Sequence, residues 1–221
     1  MLKKIKQFFE KEDIRIFGYH NLNEKEKNNI FLSSEIRDLL NSVVVFGIPL
    51  SMAVIKNLQD GPDLLYLHHY RQANYLLDKT AYRLALAIEE IKQLAIPVPA
   101  SQIIDWHNQT AHLSHKYFAP LCGIGWLGRN NLIVHPQYRS RLRFASVITS
   151  IRFEENLTIP KFGCGNCRKC IEICPAKAIS ENPANFNHTA CFEKIKEITR
   201  HRRISQHICG LCIKACEKWE Q

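Results

Sequence analysis

The chain has 221 residues, of which 46% are hydrophobic, and a formal charge of +9. That length allows one main globular domain and a small satellite, and no run approaches the ~18 apolar residues of a membrane-spanning helix. The basic balance invites an anionic partner such as nucleic acid, and the nine cysteines decide how much of that charge survives.

The N-terminus Met1-Leu-Lys-Lys-Ile-Lys is basic, but Phe8-Phe9-Glu10-Lys11-Glu12-Asp13 follows it where a signal peptide would have an apolar stretch. Residues 1–12 therefore read as an amphipathic helix, and cysteines without a leader point to the cytoplasm. Residues 14–17 read as a strand before Gly18. Residues 32–40 read as a short helix capped by Ser33 or Ser34, and 43–48 as a buried strand ended by Pro49.

The longest element opens at Gly61-Pro62-Asp63, with proline where it costs a helix least. Leu77, Ala81, Leu84, Ile88, Ile91 and Ala95 recur at steps of three and four and predict one apolar stripe, stopped by Pro97 and Pro99. Its polar face carries His68, His69, Tyr70, Arg71 and Asn74, either as solvated surface or as the wall of a cleft. Residues 101–121, with Asp105, His112 and His115, suit a further helix running up to Pro120.

Cys122-Gly-Ile-Gly-Trp-Leu-Gly-Arg-Asn-Asn-Leu-Ile-Val134 follows. Its G-x-G-x-x-G spacing lacks a preceding buried strand, and the segment after it reads extended, which disfavours a dinucleotide loop. A glycine loop against another large cofactor fits better, with Arg129, Asn130 and Asn131 as polar contacts. Cys122 reads as a small core residue. Residues 144–151 read as a central strand, and the boundary near Glu154-Glu155-Asn156 divides the chain into domains 1–155 and 156–221.

The second domain is organised around Cys164-Gly-Asn-Cys167-Arg-Lys-Cys170-Ile-Glu-Ile-Cys174-Pro175, the C-x2-C-x2-C-x3-C-P run of two-cluster ferredoxins. Cys209-Gly-Leu-Cys212-Ile-Lys-Ala-Cys216 repeats the C-x2-C-x3-C ending, and Cys191 lies between the runs. Crossed ligation assigns Cys164, Cys167, Cys170 and Cys216 to one [4Fe–4S] cluster, and Cys174, Cys191, Cys209 and Cys212 to a second. A zinc knuckle is the poorer reading, since such sites use two close pairs. Each oxidised cluster with its thiolates carries about −2, which lowers the net charge to about +5. What remains basic is local: Arg139, Arg141 and Arg143 in one segment, and Lys194, Lys196, Arg200, Arg202 and Arg203 in another.

The glycine loop, the arginine-rich strand after it and the two-cluster cysteine set with one isolated cysteine resemble, over residues 40–217, the epoxyqueuosine reductase family. The family's loop is usually Gly-Leu-Gly-Trp-Ile-Gly-Lys-Asn, so Arg129 replaces a lysine. The resemblance implies an α+β chain: an α/β cobalamin-binding-type domain followed by a small ferredoxin-like domain, a plan shared with reductive dehalogenases. It implies a base-off cobalamin with Gly123, Gly125, Trp126, Gly128, Arg129, Asn130 and Asn131 against the corrin. The clusters would feed it single electrons from a donor such as ferredoxin or flavodoxin.

Two departures bear on the substrate. The family's C-terminal helical-repeat domain, which helps grip tRNA, has no counterpart in the five residues after Cys216. The family's proton-donating aspartate, in an Asp-Ser-x-Pro-type segment, has only a positional match in Asp105, with His115 as runner-up. The expected protein is a cytoplasmic, corrinoid-dependent iron–sulfur reductase acting on a small molecule or a tRNA-borne group, with no membrane partner. Two alternatives are a true epoxyqueuosine reductase and a non-enzymatic, ferredoxin-type electron carrier; some 155 residues before the clusters are more than a carrier needs.

Overall fold

A computed structural model describes residues 1–217. In chain order the elements are α1 (Leu2–Lys11), β1 (Ile16–Asn21), α2 (Glu24–Asn28), α3 (Ser34–Arg37), β2 (Ser42–Pro49), α4 (Met52–Asn57), α5 (Leu64–Glu89), β3 (Ala95–Val98), α6 (His115–Leu121), β4 (Trp126–Leu127), β5 (Ile133–Val134), β6 (Leu142–Thr149), α7 (Lys169–Ile173), α8 (His188–His201) and α9 (Leu211–Cys216). They fall into two units that share the chain in turns. The first takes Met1–Ile48, Asn74–Ile124 and Arg143–Pro160; the second takes Pro49–Ala73, Gly125–Leu142 and Lys161 onward.

The expected single cut at 155/156 thus lies near the last of several crossings. The reason is physical: residues 161–177 contain no buried residue and build no core of their own. Within the second unit, α7 and α9 pack together and α9 also meets α4. Residues 49–73 supply buried Leu50, Ile55, Leu58 and Tyr66.

The first unit is built on a four-stranded sheet in the order β1-β2-β6-β3. β1 pairs antiparallel with β2, from Ile16↔Gly47 to Asn21↔Ser42, and β3 pairs antiparallel with β6, from Ala95↔Thr149 to Val98↔Ser146. The two β-branched runs expected to be buried are the two central strands, as a strand covered on both faces requires. Val43, Val44, Val45 and Phe46 are fully buried. Phe9 of α1 stacks on Phe17 with ring centroids 4.5 Å apart, and the stripe Leu77, Ala81, Leu84 and Ile88 of α5 packs into the same core.

Asp63 caps α5, its carboxylate accepting from the Tyr66 N–H at 2.7 Å. The stripe breaks after Ile88: Lys92 turns with φ 60°, and Ala95 belongs to β3. Pro97 therefore sits in a strand instead of ending a helix, which is tolerated because β3 lies at the sheet's edge. The expected helix over 101–121 is confined to α6, capped by Ser114 through the Tyr117 N–H.

Candidate metal centre

The cysteines are presented by short elements whose ends are fixed locally. Cys164 and Cys167 form a turn closed by Cys167 N–H to Cys164 C=O at 3.0 Å, and Gly165 within it has φ 49°. Cys170 lies in α7, and Cys174 follows it in extended backbone, where Pro175 prevents continuation of the helix. Asn187 caps α8 through the Ala190 N–H, which places Cys191 in the first turn. Gly210, at φ 86°, starts α9, which carries Cys212 and Cys216.

The electrostatics of the thiols shows two overlapping neighbourhoods, centred on Cys170 and on Cys212. Cys170 is pushed up to about 11 by burial and then by Cys216, Cys164 and Cys167. Cys212 is raised well above the ordinary thiol value by burial and then by Cys209, Cys191, Cys170 and Cys174. Burial, with Cys174 adding to it, raises Cys209 as well. Thiols raised in this way ionise as ligands only beside a compensating positive centre, and metal ions supply one. Among the described residues no three His, Cys, Asp or Glu donors are drawn together as a single-ion site; the thiol sets are neighbourhoods.

The glycine loop joins the first neighbourhood. A cavity of ≈ 290 Å³ is lined by Cys164, Cys167, Cys170 and Cys216 together with Trp126, Arg129 and Asn130. The Trp126 indole N–H donates to Cys164 Sγ at 3.3 Å. Arg129 is buried and donates to the carbonyls of Gly165 at 2.8 Å, Cys167 at 3.1 Å and Glu181 at 3.0 Å. Glu181 also bridges Arg129 and Arg168. Asn130 donates to Ser140 Oγ at 3.1 Å, and Ser140 lowers the Cys216 thiol, which burial raises. Asn131 meets His188 at 2.8 Å.

These contacts revise the role expected for residues 123–131. Their side chains hold the cysteine segment, and the glycines answer to the backbone. Gly123, at φ 72°, ends the α6 turn. A side chain at Gly125 would meet the Val134 carbonyl at 2.5 Å, and one at Gly128 would meet Val134 Cγ2 at the same distance; both permit the β4–β5 hairpin. The corrin contact predicted for Gly123, Gly125, Trp126, Gly128, Arg129, Asn130 and Asn131 is a separate expectation; within the chain, the side chains of Trp126, Arg129, Asn130 and Asn131 already have the partners given above.

The two proton-donor candidates both lie in the first unit. Asp105 is committed to a local turn, its carboxylate accepting from the N–H groups of His107 and Asn108 and from the Asn108 amide at 2.7 Å. Asn108 foremost among these bonds holds it below the usual carboxylate range. A carboxylate stabilised as the anion is deprotonated near neutral pH and carries no proton to give. His115 is half-buried with both ring nitrogens engaged, Nδ1 to Ser146 Oγ at 2.7 Å and Nε2 to the Pro99 carbonyl at 3.0 Å. Burial lowers it to about 4, and Arg143 adds to the effect. It is a neutral structural bridge. Cys122, deep in the core, is held protonated by burial.

The basic patches are similarly spoken for. Arg141 donates to the Leu50 carbonyl at 2.7 Å and pairs with Glu217 at 3.3 Å. Arg143 donates to Asn74 Oδ1 at 3.0 Å and to the Ala100 carbonyl at 2.9 Å. On α8, Lys194 pairs with Glu197 and Lys196 with Glu193, and Arg202 pairs with Asp60. On the polar face of α5, His69 accepts from the Ser51 N–H at 2.8 Å and Arg71 donates to Ser205 at 2.9 Å. Ser140 carried no signal in the sequence, because its approach to Cys216 depends on the left-handed turn at Arg139 (φ 50°).

No family model matches the chain. The chain is similar to epoxyqueuosine reductases: it is 38% identical to that of Bacillus subtilis strain 168 over 82 residues, covering 37% of this chain and 21% of that protein. It therefore spans about a fifth of the length of that relative. Among solved structures, a reductive dehalogenase studied for B12-dependent dehalogenation matches 96% of this chain and 31% of its own at TM-score 0.75 and 17% identity. An epoxyqueuosine reductase in complex with an epoxyqueuosine-modified tRNA-Tyr stem loop matches 97% of this chain and 65% of its own, at TM-score 0.63 and 18% identity. The mixed helix-and-sheet fold is shared with both.

Proposed function

We propose that the protein is an oxidoreductase that carries electrons on two [4Fe–4S] clusters, one held by Cys164, Cys167, Cys170 and Cys216, the other by Cys174, Cys191, Cys209 and Cys212. The observation that carries this reading is the cavity that brings Cys164, Cys167 and Cys170 of the first run together with Cys216 of the second. A bound cluster takes up and releases one electron at a time. The chain's own part is to fix the loop. Arg129 gathers the Gly165 and Cys167 carbonyls of the cysteine segment, Trp126 donates to a ligand sulfur, and α7 packed on α9 brings the two cysteine runs together.

Likeness in fold to a B12-dependent dehalogenase supports a corrinoid as the acceptor. The hairpin residues expected to face it are committed to the cysteine segment, so we assign no residue to a corrin and route no step through one. A soluble one-electron carrier, ferredoxin or flavodoxin, is the donor class such clusters accept, and the cytoplasm its compartment.

Reduction of an epoxyqueuosine in tRNA is the second reading, favoured by the curated relatives. Against it, Arg141, Arg143, Lys194, Lys196 and Arg202 are all engaged within the chain. A low-molecular-weight substrate needs no such patch, and we favour it.

Two measurements test this. Anaerobically prepared protein is expected to hold about eight iron and about eight sulfide; about four of each would leave one cluster and overturn the two-cluster reading. Filter binding of bulk tRNA at several salt concentrations separates the substrates. Weak binding with a shallow dependence on salt is expected. A steep loss of affinity, with turnover of tRNA-borne epoxyqueuosine, would establish the second reading.

A further inference from the structure

One stretch of chain supplies a donor to the first thiol set and a second polar group that acts on it. Trp126, at the start of β4, points its indole N–H at Cys164 Sγ, 3.3 Å away. Ser140, just before β6, lowers the Cys216 thiol. Its hydroxyl is oriented from behind: Asn130 donates to the same Oγ at 3.1 Å, which leaves the hydroxyl proton for an acceptor of its own. Asn130 is itself fixed, since its Oδ1 accepts from the Leu132 N–H at 3.3 Å. Asn130 and Ser140 are 4% and 1% exposed, so water does not compete for these bonds. The Trp126 ring is held against Gly163, where an added Cβ would lie 2.9 Å from ring carbons.

We propose that the glycine hairpin is a redox-tuning element: Trp126 and the Asn130–Ser140 relay raise the reduction potential of the cluster on Cys164, Cys167, Cys170 and Cys216. The proposal rests on the two-cluster reading above. One electron added to an oxidised cluster breaks no bond and increases the negative charge shared with the sulfurs. Donors aimed at those sulfurs stabilise the reduced form more than the oxidised one, which raises the potential. Arg129, a buried cation against Cys167 and Gly165, acts in the same direction. An electron shared between the two clusters is thereby biased toward the first. Trp126, Asn130 and Ser140 are positioning residues, and the quantity they set is a potential.

The test is a dithionite titration with redox mediators, followed by EPR, on anaerobically prepared full-length protein. Trp126→Phe keeps the ring over Gly163 and removes the indole donor; Ser140→Ala removes the hydroxyl. Each is expected to lower the potential of one cluster and leave the other in place. The expected size is about a tenfold change in the reduced-to-oxidised ratio at fixed potential, or about 59 mV for a one-electron couple. Wild-type protein with fewer than two clusters would overturn the two-cluster reading and the proposal with it. Full iron content with both potentials at wild-type values in both variants would overturn the proposal and leave the two-cluster reading standing. Should Trp126→Phe lose iron, Ser140→Ala decides alone: a lowered potential supports the proposal and an unchanged one overturns it.

Discussion

Two stretches of this chain show opposite ways of holding backbone in place. Residues 43–46 in β2 are fully buried, paired along β1, and covered by a core that draws on α1 and α5. Residues 161–177 include no buried residue and only the short helix α7. Their shape is set by single ties: the Cys164–Cys167 turn, the Gly165 and Cys167 carbonyls gathered by Arg129, and one indole bond to sulfur. The first stretch is stable because apolar area leaves water. The second has little such area to bury and needs another source of order, which the proposed clusters on its cysteines would supply. The first unit should therefore stand without metal, and the cysteine segment should not.

Removing the metal breaks this contrast open and has the largest expected effect. On anaerobic chelation of iron, amide exchange across 161–177 and α9 is expected to accelerate by about two orders of magnitude or more, while β2 and β6 keep their protection. Equal loss in both places would show that the first unit also depends on the metal.

Next in size is the loss of one cluster. Cys191→Ala is expected to lower iron from about eight to about four per chain and leave one EPR signal in place. Cys122→Ala, in the core of the first unit, is expected to leave iron unchanged. Full iron in Cys191→Ala would detach the isolated cysteine from the second set.

A core deletion probes the other side. Leu84 is 1% exposed in the α5 stripe, and Leu84→Ala is expected to cost about 2–5 kcal/mol without changing iron content. Denaturant midpoints read the first quantity and iron assay the second; iron loss in folded Leu84→Ala would mean that the two regions are not independent.

What could be read from sequence follows the same division. Periodicity exposed the α5 stripe and the two central strands, because burial on a repeating geometry leaves a repeating pattern. Spacing exposed the cysteine sets, because thiolates around a cube must recur at fixed short intervals. The contacts that shape the site left no such trace. Glycines 125 and 128 looked like a cofactor cradle, yet they make room for Val134. Arg141 and Arg143 looked like a charged surface, yet they bind carbonyls and an amide inside the fold. Pro97 looked like a helix stop, and it lies in an edge strand. The arginines and Pro97 depend on partners far away in the chain, and a window along the sequence does not contain those partners.

The smallest effect concerns His115, whose bridge between Ser146 and the Pro99 carbonyl belongs to the metal-independent side of the comparison. Its folded value of about 4 lies below the ordinary histidine value of about 6.5. Between these values the unfolded chain binds a proton at this position and the folded chain does not. Stability from this residue is therefore fully present above about pH 6.5 and is lost as pH falls toward about 4. Because the residue is half-buried, solvent screening keeps the change on the order of 1 kcal/mol. His115→Gln retains a donor and an acceptor but does not titrate, so it is expected to flatten this part of the profile. Urea midpoints of the first unit, taken at about pH 7 and pH 5, check it. Wild type is expected to lose more stability than the variant between the two. Parallel profiles would mean that His115 titrates as freely in the folded chain as in the unfolded one, and that its bridge is broken in solution.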